Sequence, residues 1–309
     1  MPPVVAADRR SLAMDQRTTP PAAPQSPQLV MFDAIMPSTM AARAEQVGVK
    51  KASSDSATVL VLAVLGGAFI SFGAIFATTV SAGWGALPYG VLRLLAGLVF
   101  SVGLILVVVG GAELFTGNNL IVMAWASGKV KTRALALNWL LVFAGNFVGA
   151  FMSAVLMFYT TQYEFGGGSV GLAALSTADG KLHHGFVATV VLGIMCNALV
   201  CLAIWMSYSG RSTMDKIISV VPPVSAFVAA GFEHCIANIY YVPVALLIKA
   251  GASQPFWDAI QKTPADYPDL TWSNFLVANL VPATIGNIIG GALMVGAVYW
   301  FVYLRRHPA

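Results

Sequence analysis

The feature that most constrains this chain is a set of long apolar runs with no charge in them: residues 57–80 and 134–160 contain no Asp, Glu, Lys or Arg. A hydrocarbon layer about 30 Å thick is crossed by a helix of about 20 apolar residues, and every backbone polar group inside it must be paired. Six segments meet that requirement, at 57–80, 91–126, 134–161, 185–207, 216–248 and 273–303. Charged residues make up 10% of the chain, against roughly a quarter in a soluble domain. The expected fold is an all-α membrane protein with six transmembrane helices in a lipid bilayer.

Basic residues set the expected orientation, because short cytoplasmic loops retain Lys and Arg. An even number of spans puts both termini on one side. That side collects Arg9, Arg10, Arg17, Arg43, Lys50, Lys51, Lys129, Lys131, Arg133, Arg211, Lys216, Arg305 and Arg306, which is 13 of the 17 basic residues. Arg93, Lys181, Lys249 and Lys262 remain for the other side and the helix ends. Both termini are expected in the cytoplasm. The net charge of +4 is this topology signal and gives no reason to expect a nucleic-acid partner. Residues 1–28, rich in Pro and Ala, read as a disordered cytoplasmic tail. Residues 29–56 read as an amphipathic helix on the cytoplasmic surface, and 57–304 as the channel domain. Cys196, Cys201 and Cys235 fall inside spans without ligand-type spacing, so no disulfide, metal or cofactor is expected.

Two segments are too long. At about 1.5 Å per residue, 91–126 and 216–248 would be about 54 and 50 Å if straight, more than tilt absorbs. Both carry Gly-x-Glu-x-x-x-x-Asn, at Gly111/Glu113/Asn118 and Gly231/Glu233/Asn238. The third and sixth segments share Gly-Asn-x-x-Gly, at Gly145-Asn146 to Gly149 and Gly286-Asn287 to Gly290. The chain therefore reads as an inverted 3+3 repeat with broken second and fifth helices meeting near the midplane, where a permeant passes. Gly145, Gly149, Gly286 and Gly290 suit close helix packing, whereas Gly111 and Gly231 suit the breaks. Glu113 and Glu233 need partners there. They can accept from backbone N–H groups freed by the break, or contact the permeant.

His234 is the one histidine inside a span. A buried imidazole is expected to be neutral at rest, and an approaching anion favours the protonated ring. Such a group attracts an anion, or lends it a proton, without trapping it. The alternative is a core histidine bonded to Asn238 or Glu233. Lys181, placed in the 163–184 loop, either concentrates anions at the outer mouth or is a solvated loop charge. Phe100, Leu104, Leu114, Phe115 and Phe227 flank the breaks; most such residues pack helices, and a few are expected to constrict the pore.

These residues resemble the formate/nitrite transporter family, most of all its formate channel branch. The matching stretches are 32–37, Ala112 to Thr116, Trp205 to Ser212, Phe227 to His234 and Thr284 to Gly291. The resemblance implies an aquaporin-like six-helix homopentamer in the bacterial inner (plasma) membrane, with a formate pore in each subunit; the place of His234 in the repeat-matched break is the reason to expect proton coupling through it. Nitrite or hydrosulfide is the alternative permeant. It also implies that His234 and Thr116 face the permeant, that Lys181, Asn197 and Glu233 shape the field around His234, and that Asn287 lines the pore. Constrictions map to Phe100, Val200 and Phe227 on the outer side and to Leu104, Leu114 and Phe115 on the inner. Gly117-Asn118 and Cys235 depart from the family's usual small Ser or Thr. An enzyme is not expected: there is no His-Glu-x-x-His and no Gly-x-Ser-x-Gly. A water or glycerol channel lacks support because Asn-Pro-Ala is absent.

Overall fold

The computed structural model describes residues 35–83 and 87–305. The expected tail (1–28), the first residues of the expected surface helix (29–34) and Arg306 lie outside the described residues. Local chemistry marks the element boundaries. Helix α1 (Pro37–Ser53) starts at a proline in its first turn. Helix α2 (Ser56–Val80) is capped by the Asp55 carboxylate, which accepts from Thr58 N at 2.9 Å. Helix α3 (Tyr89–Gly110) ends at Gly111 with φ 80°, a left-handed position that glycine adopts freely. After three extended residues the chain resumes as α4, residues 115–126, with a 3-10 turn at Asn119–Ile121. Helix α5 (Thr132–Tyr159) completes the first half.

The second half repeats this order. Helix α6 (Ser169–Leu182) precedes α7 (Phe186–Ser209), and α8 (Thr213–Ala230) opens on a Ser212/Asp215 capping box. Gly231, with φ 77°, ends α8 as Gly111 ends α3. Then come α9 (Cys235–Gly251), the short α10 (Gln254–Ile260) and α11 (Trp272–Tyr303). The last is a single span in which α-helical turns alternate with wider π turns at Phe275–Leu280 and Ile289–Ala297. Six helices among the described residues are long and apolar enough to cross a membrane. The expected spans and both breaks appear, with ends shifted by three residues or fewer.

Helix α2 packs on α3 and α5, just as α7 packs on α8 and α11; α3 and α8 meet between the halves. Each piece that follows a break crosses over to the other half: α9 lies against α5, and α4 against α7 and α11. The glycines expected to mediate close packing do so. A Cβ on Gly149 would stand 1.9 Å from Val64 O, and one on Gly290 2.1 Å from Ile194 O, the matching place in the other half. Two expectations change. Lys181 is in α6, not in a loop. Helix α6 also stands at the place matching α1, the expected surface helix, so each repeat has an extra helix ahead of its three spans; at 14 residues α6 is too short to show in a search for membrane-length apolar runs.

Gly149→Ala is expected to force α2 and α5 apart and cost about 1–3 kcal/mol as an overpacking change. Gly180→Ala, whose Cβ would meet nothing within 4 Å, serves as the control. The check is thermal denaturation of the detergent-solubilised protein: a lower midpoint for the first variant and none for the second.

Candidate permeation site

Both breaks lie level with the middle of the third and sixth spans, where Asn146 and Asn287 sit. Freeing backbone at that depth leaves N–H and C=O groups with no water to bond. At the first break, Phe115 N donates to Asn146 Oδ1 at 2.8 Å, while Asn146 Nδ2 donates to Glu113 O at 2.9 Å and Ala63 O at 2.6 Å. At the second, Cys235 N donates to Asn287 Oδ1 at 2.9 Å, and Asn287 Nδ2 donates to Glu233 O and Gly193 O, both at 2.9 Å. One amide side chain braces each break. This changes one expectation: one freed N–H at each break goes to an asparagine rather than to the glutamate, because a short, neutral amide both accepts and donates, while Glu113 N and Glu233 N donate to Leu62 O and Leu192 O of the neighbouring spans. Asn287, expected to line the pore, has both amide hydrogens and its oxygen bonded in this brace.

The glutamates bond side chains. Glu113 Oε1 accepts from Lys51 Nζ at 2.8 Å and its Oε2 from Asn118 Nδ2 at 2.5 Å. Glu233 Oε1 accepts from Lys181 Nζ at 3.0 Å and its Oε2 from Asn238 Nδ2 at 2.6 Å. Asn118 Nδ2 also meets Asn138 Oδ1 at 2.9 Å, and Asn238 Nδ2 meets Asn279 Oδ1 at 2.7 Å. Asn138 and Asn279 then donate to the lysines' own carbonyls, Lys51 O at 3.2 Å and Lys181 O at 3.1 Å. A helix outside the spans is thus tied to each break through one lysine. Sequence reasoning missed Lys51, Asn138 and Asn279. Spacing could have found the asparagines, since each stands equally far ahead of the Asn in Gly-Asn-x-x-Gly.

The halves differ at the centre. His234 Nε2 lies 3.0 Å from Thr116 Oγ1, joining the two breaks; the expected alternatives, Asn238 and Glu233, bond elsewhere. Ala237 N donates to His234 Nδ1 at 3.1 Å, so the ring caps α9. A backbone N–H only donates, which fixes Nδ1 as acceptor and puts the neutral ring's hydrogen on Nε2. Nε2–H then donates to Thr116, whose own hydroxyl hydrogen stays available. Asn197 Nδ2 approaches Thr116 O at 3.2 Å.

Apolar side chains surround this pair. The Phe227 ring stacks on His234 at 6.0 Å between centroids, and Phe100 meets Phe227 edge-on at 5.7 Å. Val200, Leu104 and Leu114 are buried in the same core. Phe115 packs edge-on against Trp139 and Phe143 of α5. A cavity of about 440 Å³ opens beside the first break on the α1 side, lined among others by Lys50, Lys51, Leu114, Asn118 and Tyr208. The second break carries an extra cover: Arg93 donates to Val228 O and, at 3.2 Å, to Ala229 O, the last carbonyls of α8. Beside Lys181, the exposed His183 has its pKa raised by the Asp179 backbone carbonyl and carboxylate, so it gains charge at higher pH than a free imidazole.

Two broken helices meeting around a buried polar site, in a chain with six helices apolar enough to cross a membrane among the described residues, define a multi-pass membrane transport protein. The comparisons agree. The sequence model described as formate/nitrite transporter matches residues 38–301, and the chain belongs to that family. It is 49% identical over 276 residues to the formate channel FocA of Escherichia coli (strain K12), covering 89% of this chain and 97% of that one. To formate channel FocB of the same organism it is 40% identical over 277 residues, covering 90% and 98%. A solved structure described as a pentameric formate channel with formate bound matches with a TM-score of 0.77 at 46% identity, covering 81% of this chain and 98% of that one.

The two lysine–glutamate pairs are not equally buried: side-chain exposure is 15% and 1% for Lys181–Glu233 but 27% and 11% for Lys51–Glu113. Stranding a buried charge costs about 3–5 kcal/mol. Lys181→Met is therefore expected to lower the melting midpoint in detergent more than Lys51→Met; the reverse order would refute the difference in burial as the cause.

Proposed function

We propose that the protein is a formate channel rather than an enzyme, assembled as a homopentamer with one pore per subunit in the bacterial inner membrane, both termini in the cytoplasm. The relatives named as formate channels and the solved pentamer support the permeant and the assembly. The distribution of basic residues supports the orientation. The observation that carries the mechanism is the His234–Thr116 contact, the one polar link between the two breaks that leaves a hydrogen free to donate.

In this reading the anion enters past Lys181 or Lys51, each already neutralised by a glutamate, and meets the Thr116 hydroxyl. Moving a bare carboxylate through low-dielectric surroundings costs far more than one hydrogen bond returns. His234 resolves this by taking a proton and passing it to the carboxylate, so that neutral formic acid crosses the apolar constrictions at Phe100, Val200 and Phe227 and at Leu104, Leu114 and Phe115. Protonation of the ring places a hydrogen on Nδ1, which faces the Ala237 N–H and ends that cap. Charge on His234 and the shape of the second break are therefore linked. Asn197 and Glu233 hold the groups around the ring; Gly111, Glu113, Gly231 and Asn238 build the breaks.

Nitrite is the second reading, because the family description covers it and its charge and size are close to formate's; hydrosulfide shares that charge. Competitive uptake of labelled formate into proteoliposomes is expected to be inhibited least by nitrite and hydrosulfide and most by unlabelled formate. Stronger inhibition by either rival would overturn the formate assignment. His234→Asn is expected to abolish the pH dependence of formate flux, and an unchanged pH profile would end the proton-coupled mechanism.

A further inference from the structure

The repeat is faithful in its braces and, besides the His234–Thr116 centre, departs from itself at a spot beside it. By the matching that pairs Val64 with Ile194, Asn146 with Asn287 and Glu113 with Glu233, Asn197 stands opposite Gly67, Gly291 opposite Ala150 and Asn119 opposite Ile239. In the first half this spot is closed by backbone packing: a Cβ on Gly67 would lie 2.2 Å from Asn146 O and 2.9 Å from Ala150 N. In the second half it holds a polar strap. Asn197 Nδ2 reaches Asn287 O at 2.6 Å, Asn119 Oδ1 at 3.0 Å and Thr116 O at 3.2 Å. Asn119 Nδ2 donates to Phe115 O at 3.1 Å, and Cys201 Sγ donates to Thr116 O at 3.4 Å. Asn119, Asn197, Cys201, Thr116 and Asn287 all have 0% exposure.

Gly291 is what makes the room. A Cβ there would stand 2.3 Å from Asn197 Nδ2 and 2.9 Å from both Asn119 Cβ and Cys201 Sγ. Fully buried neighbours have nowhere to retreat. Gly291 also lies within the π turns of Ile289–Ala297, and such wide turns alter the register of a helix locally. We propose that Gly291 is a positioning residue for the Thr116–His234 pair: lacking a side chain, it leaves the space in which Asn197 and Asn119 tie the first break's Thr116 to Asn287, the brace of the second. With its carbonyl held, Thr116 keeps its hydroxyl on His234 Nε2. The inference rests on the reading of that pair as the permeant site.

The test uses the full-length protein in proteoliposomes. Gly291→Ala is expected to lower formate flux about tenfold or more, since misplacement of about 1 Å costs up to a hundredfold, and to flatten the pH profile as His234→Asn does. Asn197→Gly combined with Gly291→Ala recreates the Gly67/Ala150 pair of the first half. That double variant is expected to recover the melting temperature and to match Asn197→Gly alone in flux and pH profile, because Gly291 acts through Asn197; a merely structural role for the glycine would instead add its own loss of flux to that of Asn197→Gly. Wild-type rate and pH profile in Gly291→Ala, or a double variant clearly slower than Asn197→Gly alone, would overturn the proposal. Should Gly291→Ala fail to fold, the double variant compared with Asn197→Gly alone decides by the same two readouts. Failure of the underlying reading is separable: it shows as an unchanged pH profile in His234→Asn, whereas a flattened profile there beside a normal one in Gly291→Ala overturns only this inference.

Discussion

A polypeptide that stops being helical in the middle of a bilayer exposes donors and acceptors that nothing in the lipid can satisfy, and everything at the centre of this protein follows from how they are paired. Asn146 and Asn287 each take one freed N–H and return two N–H groups to carbonyls. Leaving a single buried group unpaired costs about 1–3 kcal/mol, so two unbraced breaks would consume a large part of a domain's net stability of about 5–15 kcal/mol. The close glycine contacts of α2 with α5 and α7 with α11 serve the same end. They bring each asparagine near enough to reach across to the neighbouring helix, at Ala63 O and Gly193 O.

With the backbone satisfied twice over by the same device, the two breaks are free to differ in what they present. Leu114 stands in the first where His234 stands in the second, and Ile236 stands in the second where Thr116 stands in the first. A single imidazole–hydroxyl contact therefore forms between the halves. Two such polar pairs would bind an anion twice in series, and conduction needs a site that releases as readily as it admits. The apolar mates keep the remaining path uncharged and dry.

Much of this was legible in the sequence, and the limits of legibility have physical causes. Charge-free runs announce spans because lipid penalises every charge, and excess length together with a repeated Gly-x-Glu-x-x-x-x-Asn announces breaks because both halves solve one problem. What the breaks' glutamates bond was not legible: Lys51 lies in α1, expected as a surface helix with nothing in its pattern to place it at a break, and Lys181 reads as a loop charge until α6 is seen as a helix. The bracing role of Asn146 and Asn287 was hidden for a similar reason. The motif shows a small polar residue between packing glycines, but only the approach of another element shows which of its atoms are engaged.

The lysine–glutamate pairs give the arrangement its electrostatic sense. A lone carboxylate at either break would repel the anion that has to pass, and a lone ammonium would hold it. Paired at 2.8 and 3.0 Å, the two charges nearly cancel at a distance while remaining a dipole nearby. Their hydrogen bonds to Asn118 and Asn238 then pass that orientation into the first turns of α4 and α9. The symmetry is incomplete: Lys51 also donates to Asn118 Oδ1 at 2.9 Å, whereas Asn238 Oδ1 receives no donor. Lys181 Nζ instead lies over the Tyr241 ring, 5.6 Å from its centroid, so the two ammonium groups differ in their second partner, an amide oxygen at the first break and an aromatic face at the second. In the proposed mechanism an anion arriving from the α6 face would meet Lys181 first and the imidazole next, while one arriving from the α1 face would pass Lys51 and reach the threonine. The chemical asymmetry of the pore is therefore built into its approaches as well as its centre.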